Sequence, residues 1–394
     1  MTATDLPFTA EEYARRLDLV RAEMAARDLD ALFVTDPSNM AWLTGYDGWS
    51  FYVHQGVILR PGADPLWWGR LQDSEGAYRT VWMADDHVRA YGEHFIQTPL
   101  RHPMEDLAAL LGDLGLTRAR IGVEMDNYYF SAKAFMTLRE RLPDAALIDA
   151  TVLVNWQRAV KSAEEIAFMR RAARITETMM QGALERAAAG VPKNALIAGL
   201  QSDGIIGADG HWGDYPAIVP LMPSGSDAAA PHLTWNGDPL RHGDVTTIEI
   251  AGCYRRYHVP LCRSLSIGPP SDAVRRGEAA VLEGLAEGIE AARAGNTAGD
   301  VARALFGALR RAGIERTARC GYPVGLSYPP DWGERTISLR PDDDTVLLPG
   351  MTFHFMPGLW MGDWGLAITE TILIRPEGPA ACFVTMPRGL AIKE

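Results

Sequence analysis

The stretch Val245-Thr246-Thr247-Ile248-Glu249-Ile250-Ala251 sets a carboxylate in the middle of a β-branched, apolar run. Val, Ile and Thr fit a pleated strand, and alternation along such a strand turns Glu249 toward the interior. A buried carboxylate needs a partner or a raised pKa. Glu249 is therefore either a functional acid or one half of an ion pair with Arg255, Arg256 or Arg263, and groups of this kind concentrate at functional sites. Ile368-Thr369-Glu370-Thr371-Ile372 repeats the pattern inside a predicted strand from Ala367 to Ile374, and Met351 to Phe355 reads as a further strand. Two carboxylates on strands of one sheet, with a histidine, suffice for acid–base hydrolysis.

Working outward, helical periodicity covers 181–204, then 273–293 through Val281, Leu282, Leu285 and Ile289, then 298–312 up to Gly313. Upstream, the capping box Ser162-x-x-Glu165 opens a long helix through Ile166, Met169 and Ile175. It follows a polar stretch around Arg158 and Lys161, which places a domain boundary between residues 1–158 and 159–394. In the first part, Thr9-x-x-Glu12 starts a helix through Tyr13, Leu17, Val20 and Met24. Ala31 to Val34 reads as a buried strand, and Val57 to Leu59 and Leu66 to Trp68 flank the turn Pro61 to Pro65. Ile121 to Glu124 is another strand candidate, and Ser131 to Leu142 a helix stopped by Pro143. Strands and helices alternate there, as in an α/β layer.

The 394 residues suggest two or three domains, and 47% hydrophobic with 22% charged residues is the balance of an ordinary folded protein. With 38 basic against 50 acidic residues the net charge is −12, which argues against a nucleic-acid surface or a polybasic membrane anchor. Cys253, Cys262, Cys320 and Cys382 show neither a disulfide framework nor metal-ligand spacing. Met1 to Ala14 lacks the basic and apolar regions of a signal peptide, and no run is long enough to span a bilayer. A cytoplasmic protein is expected.

Polar and aromatic residues gather in the Gly/Pro-rich segments of the second half: 211–216, 231–235, 253–258, 321–335 and 354–364. Loops held on a rigid sheet commonly carry binding groups. A single Trp or Tyr there could equally cap a core, and most of the nine histidines serve the surface or hydrogen-bonded interiors. His232, after Pro231 and before Leu233, is the histidine candidate for catalysis.

Leu240-x-x-Gly243-Asp244, the strand ending at Glu249, Gly321-Tyr322-Pro323-Val324-Gly325, Pro349-Gly350-Met351 and Ile368 to Gly378 resemble, in order and spacing, the pita-bread fold of the creatinase, aminopeptidase P and methionine aminopeptidase superfamily. Asp30-Ala31-Leu32 and Trp42-Leu43-Thr44-Gly45-Tyr46 resemble its creatinase-type N-terminal domain. The implied architecture is an α/β creatinase-type N-terminal domain followed by an α+β pita-bread catalytic domain. Peptidase members hold two metal ions with two Asp, one His and two Glu. Those positions fall here on Glu249, Pro260, Tyr322, Met356, and Thr369 or, shifted by one, Glu370. Hard and borderline divalent cations need several carboxylate or imidazole ligands, so the resemblance is to the metal-free, creatinase-like branch, with no cofactor. Pro231-His232 matches the catalytic histidine of that branch.

The strings Asn39 to Gln55, Gly213 to Pro220, Ala251 to His258 and Gly325 to Arg335 are similar to those of bacterial ectoine hydrolases. That resemblance implies hydrolytic opening of ectoine, a cyclic amidine bearing a carboxylate, to N-acetyl-2,4-diaminobutyrate, beside a separate deacetylase. It implies Glu249 activating water or attacking covalently, and His232 supplying the proton to the departing nitrogen. Tyr322, Tyr257 and Glu370 would orient reacting groups. Trp49, Phe51, Tyr52, Trp235, Trp332 and Trp360 would wall the amidinium, with His258 and His354 beside them. A homodimer is implied too, with Trp49, Phe51 and Tyr52 capping the partner's site. An amidinohydrolase of another small zwitterion and a non-catalytic binding protein are the alternative readings.

Overall fold

A computed structural model describes residues 6–394. The first five residues of the segment read as free of a signal peptide lie outside the described part. The chain divides into two compact units, Met1–Arg158 and Ala159–Glu394.

Unit 1 runs α1 (Ala10–Ala26), β1 (Ala31–Val34), α2 (Pro37–Thr44), β2 (Gly56–Arg60), β3 (Ala63–Arg70), α3 (Leu71–Thr80), β4 (Val88–Tyr91), α4 (Pro103–Asp113), β5 (Arg120–Val123), α5 (Ala132–Arg141), β6 (Ala146–Asp149) and α6 (Leu153–Gln157). The sheet has the order β4-β3-β2-β1-β5-β6, with β1 parallel to β5 and antiparallel to β2. All four residues of β1 are buried, because helices cover both faces of the sheet. Leu32 and Val34 pack with Leu17, Val20 and Trp42, whereas Ala31 and Phe33 pack with Met104, Leu107 and Leu138. A strand buried on both sides reads as a continuous apolar run.

Unit 2 begins with α7 (Ala163–Arg186) and α8 (Lys193–Ile206). Both halves of the Ser162/Glu165 capping box form at the start of α7. The single helix expected over 181–204 is interrupted at 187–192, where Gly190 takes φ +82° and Pro192 precedes α8; both residues oppose helix propagation. Next comes a hairpin of β7 (Val245–Tyr254) and β8 (Tyr257–Ile267) in register from Val245↔Ser266 to Tyr254↔Tyr257. Its two-residue turn places Arg255 and Arg256 at φ +49° and +66°, the backbone of a type I′ turn. The sequence reading assigns no element to 257–267, yet β8 lies between β7 and β15 (Ala391–Lys393) even with Pro260 in it, a residue that cannot donate to a ladder.

The rest of unit 2 is α9 (Asp272–Ala291), α10 (Ala298–Arg311), β9 (Gly321–Pro323), β10 (Thr352–Phe355), β11 (Gly358–Met361), β12 (Trp364–Ala367), β13 (Glu370–Leu373) and β14 (Ala381–Cys382). A second sheet runs β14-β13-β10-β9, and β11 pairs with β12. Val281, Leu285, Leu305 and Leu309 of the two helices bury this sheet's Phe353, Phe355 and Ile372. The one strand expected over Ala367–Ile374 is in fact two, separated at Ile368-Thr369. That break lets Thr369 leave its own sheet and bond to β8: its N–H donates to the Cys262 carbonyl at 3.1 Å, and Cys262 N–H donates to Thr369 Oγ1 at 2.7 Å.

Candidate active site

The hairpin sorts its side chains by face. At Gly252 a Cβ would stand 2.4 Å from Ala172 O of α7, so this position and its cross-strand neighbours lie against the helix. Tyr257 shares that face and donates to Glu165 Oε1 at 2.7 Å. Successive side chains alternate, and cross-strand partners share a face. Glu249, Ala251, Cys253, His258, Pro260 and Cys262 therefore form the opposite face, with Glu249 directly across from Cys262.

The Glu249 carboxylate has no hydrogen bond or ion pair among the described residues, and burial alone pushes its pKa up to about 7. Burial also raises the Glu124 carboxyl to about 7, but its partners differ. That carboxylate accepts from Thr35 N at 2.7 Å, Asp36 N at 2.8 Å and Asn39 Nδ2 at 2.5 Å, as a structural buried acid does. Glu249 carries the same residue type without the partners. Of the three arginines offered to it by the sequence, Arg263 lies on the other face of the hairpin and binds Glu370, and Arg256 stacks 3.7 Å over Tyr215.

Around Glu249 stands a connected polar group. Trp332 Nε1 donates to Tyr322 Oη at 2.7 Å, and His354 Nδ1 lies 3.3 Å from the same oxygen. His354 Nε2 is 2.8 Å from Thr369 Oγ1. An indole N–H can only donate, so Trp332 uses the Tyr322 oxygen as acceptor and leaves the phenolic O–H to donate, to His354 or to a bound molecule. Burial, and after it the charge of Glu249, push the Tyr322 phenol well above its ordinary range. Burial and then Glu249 do the same for the Cys262 thiol. His354 is pushed down to about 3 by burial, so it is a neutral imidazole at physiological pH.

The structure redistributes the roles expected from sequence. Glu249, Tyr322 and His354 come together. His258 does not serve as a wall residue: its Nε2 accepts from Ala217 N at 2.8 Å and its Nδ1 lies 2.9 Å from Arg256 O, so both nitrogens are spent within the protein. Tyr257 and Trp332 are fully buried and bonded to Glu165 and Tyr322; they support the site instead of lining or orienting it. Glu370 is held by Arg263 at 2.7 Å and Arg388 at 2.9 Å, while its neighbour Thr369 bonds to His354. His232 lies on the exposed segment 231–239 with the half-buried Trp235, and no hydrogen bond ties it to the Glu249 group among the described residues. Trp360 is half-buried on β11. In unit 1, Trp49 and Tyr52 are 61% and 62% exposed, and Trp49 packs edge-on against Phe51. Sequence reading missed Cys262; centring the hairpin on Arg255-Arg256 would have placed it opposite Glu249.

This fold and site define the protein's class. The model of metallopeptidase family M24 matches residues 167–376 and that of the creatinase/prolidase N-terminal domain residues 16–160, and the chain belongs to this family. Over its full length it is 53% identical to the ectoine hydrolase of Halomonas elongata, with 100% of each chain covered. It is 37% identical to an uncharacterised hydrolase/peptidase of Sinorhizobium fredii, with 99% of each covered. Among solved structures, prolidase from Thermococcus sibiricus superposes with a TM-score of 0.84 over 98% of this chain and 100% of that one at 18% identity. Dipeptidase PepE from Mycobacterium ulcerans gives 0.80 over 98% and 99% at 22% identity. These likenesses establish the pita-bread fold.

Membership of a metallopeptidase family implies a bound metal, so the donor set must be tested against one. The resemblance sets Glu249, Pro260, Tyr322, Met356 and Thr369 or Glu370 at the ligand positions, and among the described residues no group of three or more His, Cys, Asp or Glu is placed to hold an ion. Pro260 offers no side-chain donor, and its carbonyl accepts from Thr371 Oγ1 at 2.7 Å. The residues present do not fit a resident divalent cation.

Proposed function

We propose that this protein hydrolyses ectoine, opening its cyclic amidine to N-acetyl-2,4-diaminobutyrate without a metal. The observation that carries the reading is the unpartnered carboxylate of Glu249, half-buried and poised near neutrality opposite Cys262 and beside Tyr322. The full-length relative from Halomonas elongata, named ectoine hydrolase, supports the substrate. A carboxylate with a pKa near the working pH suits a general base or nucleophile, and an amidinium supplies the counter-charge that Glu249 lacks within the chain. Glu249 takes a proton from the water that attacks the amidine carbon, or it attacks that carbon itself, in which case a water molecule afterwards cleaves the bond to Glu249 and supplies the product's oxygen. The carbon becomes tetrahedral, one ring C–N bond breaks, and the departing nitrogen takes a proton. His232, exposed and able to exchange with solvent, is assigned that delivery, and Tyr322 O–H donates to the tetrahedral centre. His354 and Trp332 fix Tyr322, and Trp235 and Trp360 face the ligand.

Proton NMR of the EDTA-treated protein with ectoine tests the substrate and the metal independence together. The ring methyl signal is expected to convert to an acetyl methyl at the rate of untreated protein. Conversion that stops on chelation and returns with a divalent ion overturns the metal-free reading, and no conversion by either sample overturns the substrate.

The product keeps an acetyl group, so the reaction that consumes it is a deacetylation. No helix among the described residues is long and apolar enough to cross a membrane, and all four cysteines are free, which suits a reducing compartment and supports a cytoplasmic enzyme. The exposed Trp49 and Tyr52, with the half-buried Phe51 between them, support a homodimer in which these residues cap the partner's site. Sedimentation with parallel assay is expected to show an active dimer; a fully active monomer overturns that placement.

A further inference from the structure

The geometry points to Arg319 as the residue that recognises the substrate's carboxylate. This assignment rests on the proposed reaction and names a contact that it leaves open. A zwitterionic ring whose amidinium faces Glu249 must present its carboxylate elsewhere, and a buried or half-buried anion needs a cationic donor.

The guanidiniums near the site are almost all committed. Arg263 spends its donors on Glu370 Oε1 and on the carbonyls of Cys262, Thr369 and Pro387. Arg316 donates from Nη1 and Nη2 to the carbonyls of Met356, Gly358 and Arg319, and only its buried Nε is left over. Arg388 is bound to Glu370 and Cys382, Arg256 stacks on Tyr215 beside Asp214, and Lys161 is paired with Glu334. Arg319 differs. It is exposed, has no ion pair and no side-chain hydrogen bond among the described residues, and its guanidinium carbon sits 4.7 Å from the centroid of the Tyr322 ring.

Three charges act on the Tyr322 phenol: the carboxylates of Glu249 and, more weakly, Asp331, and with the opposite sign the Arg319 guanidinium. That arrangement matches a small molecule with a cation at one end and an anion at the other. A cation–π contact holds the guanidinium in place without using its donors, which remain available for a bidentate carboxylate. The chain's net charge of −12 repels an approaching anion, and the Arg319 guanidinium offsets part of that repulsion locally.

The test compares the parent with Arg319→Met and Arg319→Lys on two substrates: ectoine, and the same cyclic amidine without its carboxylate, 2-methyl-1,4,5,6-tetrahydropyrimidine. Kinetics and calorimetric titration are run on each pair. Arg319→Met is expected to raise KM and Kd for ectoine by roughly ten- to a hundredfold, the range of a lost charged hydrogen bond. Its kcat is expected to stay within about threefold, and the carboxylate-free amidine is expected to bind it as it binds the parent. Arg319→Lys recovers part of the loss, since a point charge replaces a fork. An equal loss for both substrates, or a fall confined to kcat, overturns the assignment and makes Arg319 a support for Tyr322. A parent that binds ectoine without converting it, with binding lost in Arg319→Met, upholds the assignment and overturns the reaction. A parent that neither binds nor converts ectoine overturns both.

Discussion

Glu249→Gln is expected to lower ectoine turnover by about 10²-fold or more and, at pH 8, to make the folded protein more stable. The first effect follows from removing a general base or nucleophile; turnover above about a tenth of the parent value would take Glu249 out of the mechanism. The second follows from linkage. Burial raises the carboxyl from 4.5 to about 7, so the folded state prefers the protonated acid. Its favourable contribution is present in full below pH 4.5 and disappears as pH rises through 7. Above pH 7 the folded protein carries a desolvated, unpaired anion at a cost of up to about 3 kcal/mol, and the amide removes that anion. Chemical denaturation of parent and variant at pH 4 and pH 8 should show coincident curves at the lower pH and a more stable variant at the higher. In the parent, kcat/KM is expected to rise with pH through about 7 as Glu249 ionises. In kcat the same limb should move to lower pH, because a bound amidinium favours the carboxylate. Loss of activity without the pH-dependent gain in stability would mean that Glu249 has a partner in solution.

Arg263→Met is expected to be the most destabilising single change in the second unit. Arg263 and Glu370 are 2% and 0% exposed, and removing one partner of a buried pair costs about 3–5 kcal/mol. In a domain of this size that lowers the melting temperature by roughly 6–20 °C at 2–4 °C per kcal/mol. The same guanidinium ties the carbonyls of Cys262 and Thr369, the two residues that bond across to each other beside Glu249, so surviving activity should fall as well. Arg388 also binds Glu370 but is 39% exposed, and Arg388→Met should cost about 1 kcal/mol or less. Scanning calorimetry of both variants separates the two; equal melting temperatures would show that the buried pair contributes no more than the exposed one.

Much of the candidate site was legible because it depends on local pattern. An acid inside a β-branched run identifies Glu249 from alternation alone, and the Ser162/Glu165 box marks the first helix of the second unit from four residues. Where local signals conflict with long-range pairing, the reading failed. The sequence reading assigns no element to 257–267, where Pro260 removes a ladder donor, yet β7 and β15 on either side hold it as a strand. Ile368-Thr369 reads as the middle of a strand, yet it breaks there because Thr369 bonds to Cys262. Tyr257, His258 and Trp332 carry the aromatic and imidazole groups that a binding wall needs, and only their hydrogen-bond partners show that these groups are already used.

By itself the sequence determined that the chain has an α/β part and an α+β part joined near residue 158 and that Glu249 is an acid within a strand, and it carried the resemblance that sets residues such as Pro260 and Met356 at the family's metal-ligand positions. These are properties of residue type and short-range periodicity, which survive without knowledge of what packs against what. Tertiary structure alone decided that Arg263 goes to Glu370 and leaves Glu249 unpaired, that Thr369 faces the site while Glu370 does not, and that Arg319 rests uncommitted on Tyr322. Each of those outcomes is a choice among partners far apart in the chain. Such choices are made by which faces of the two sheets meet, and the strength of an electrostatic contact depends on the burial that the meeting creates.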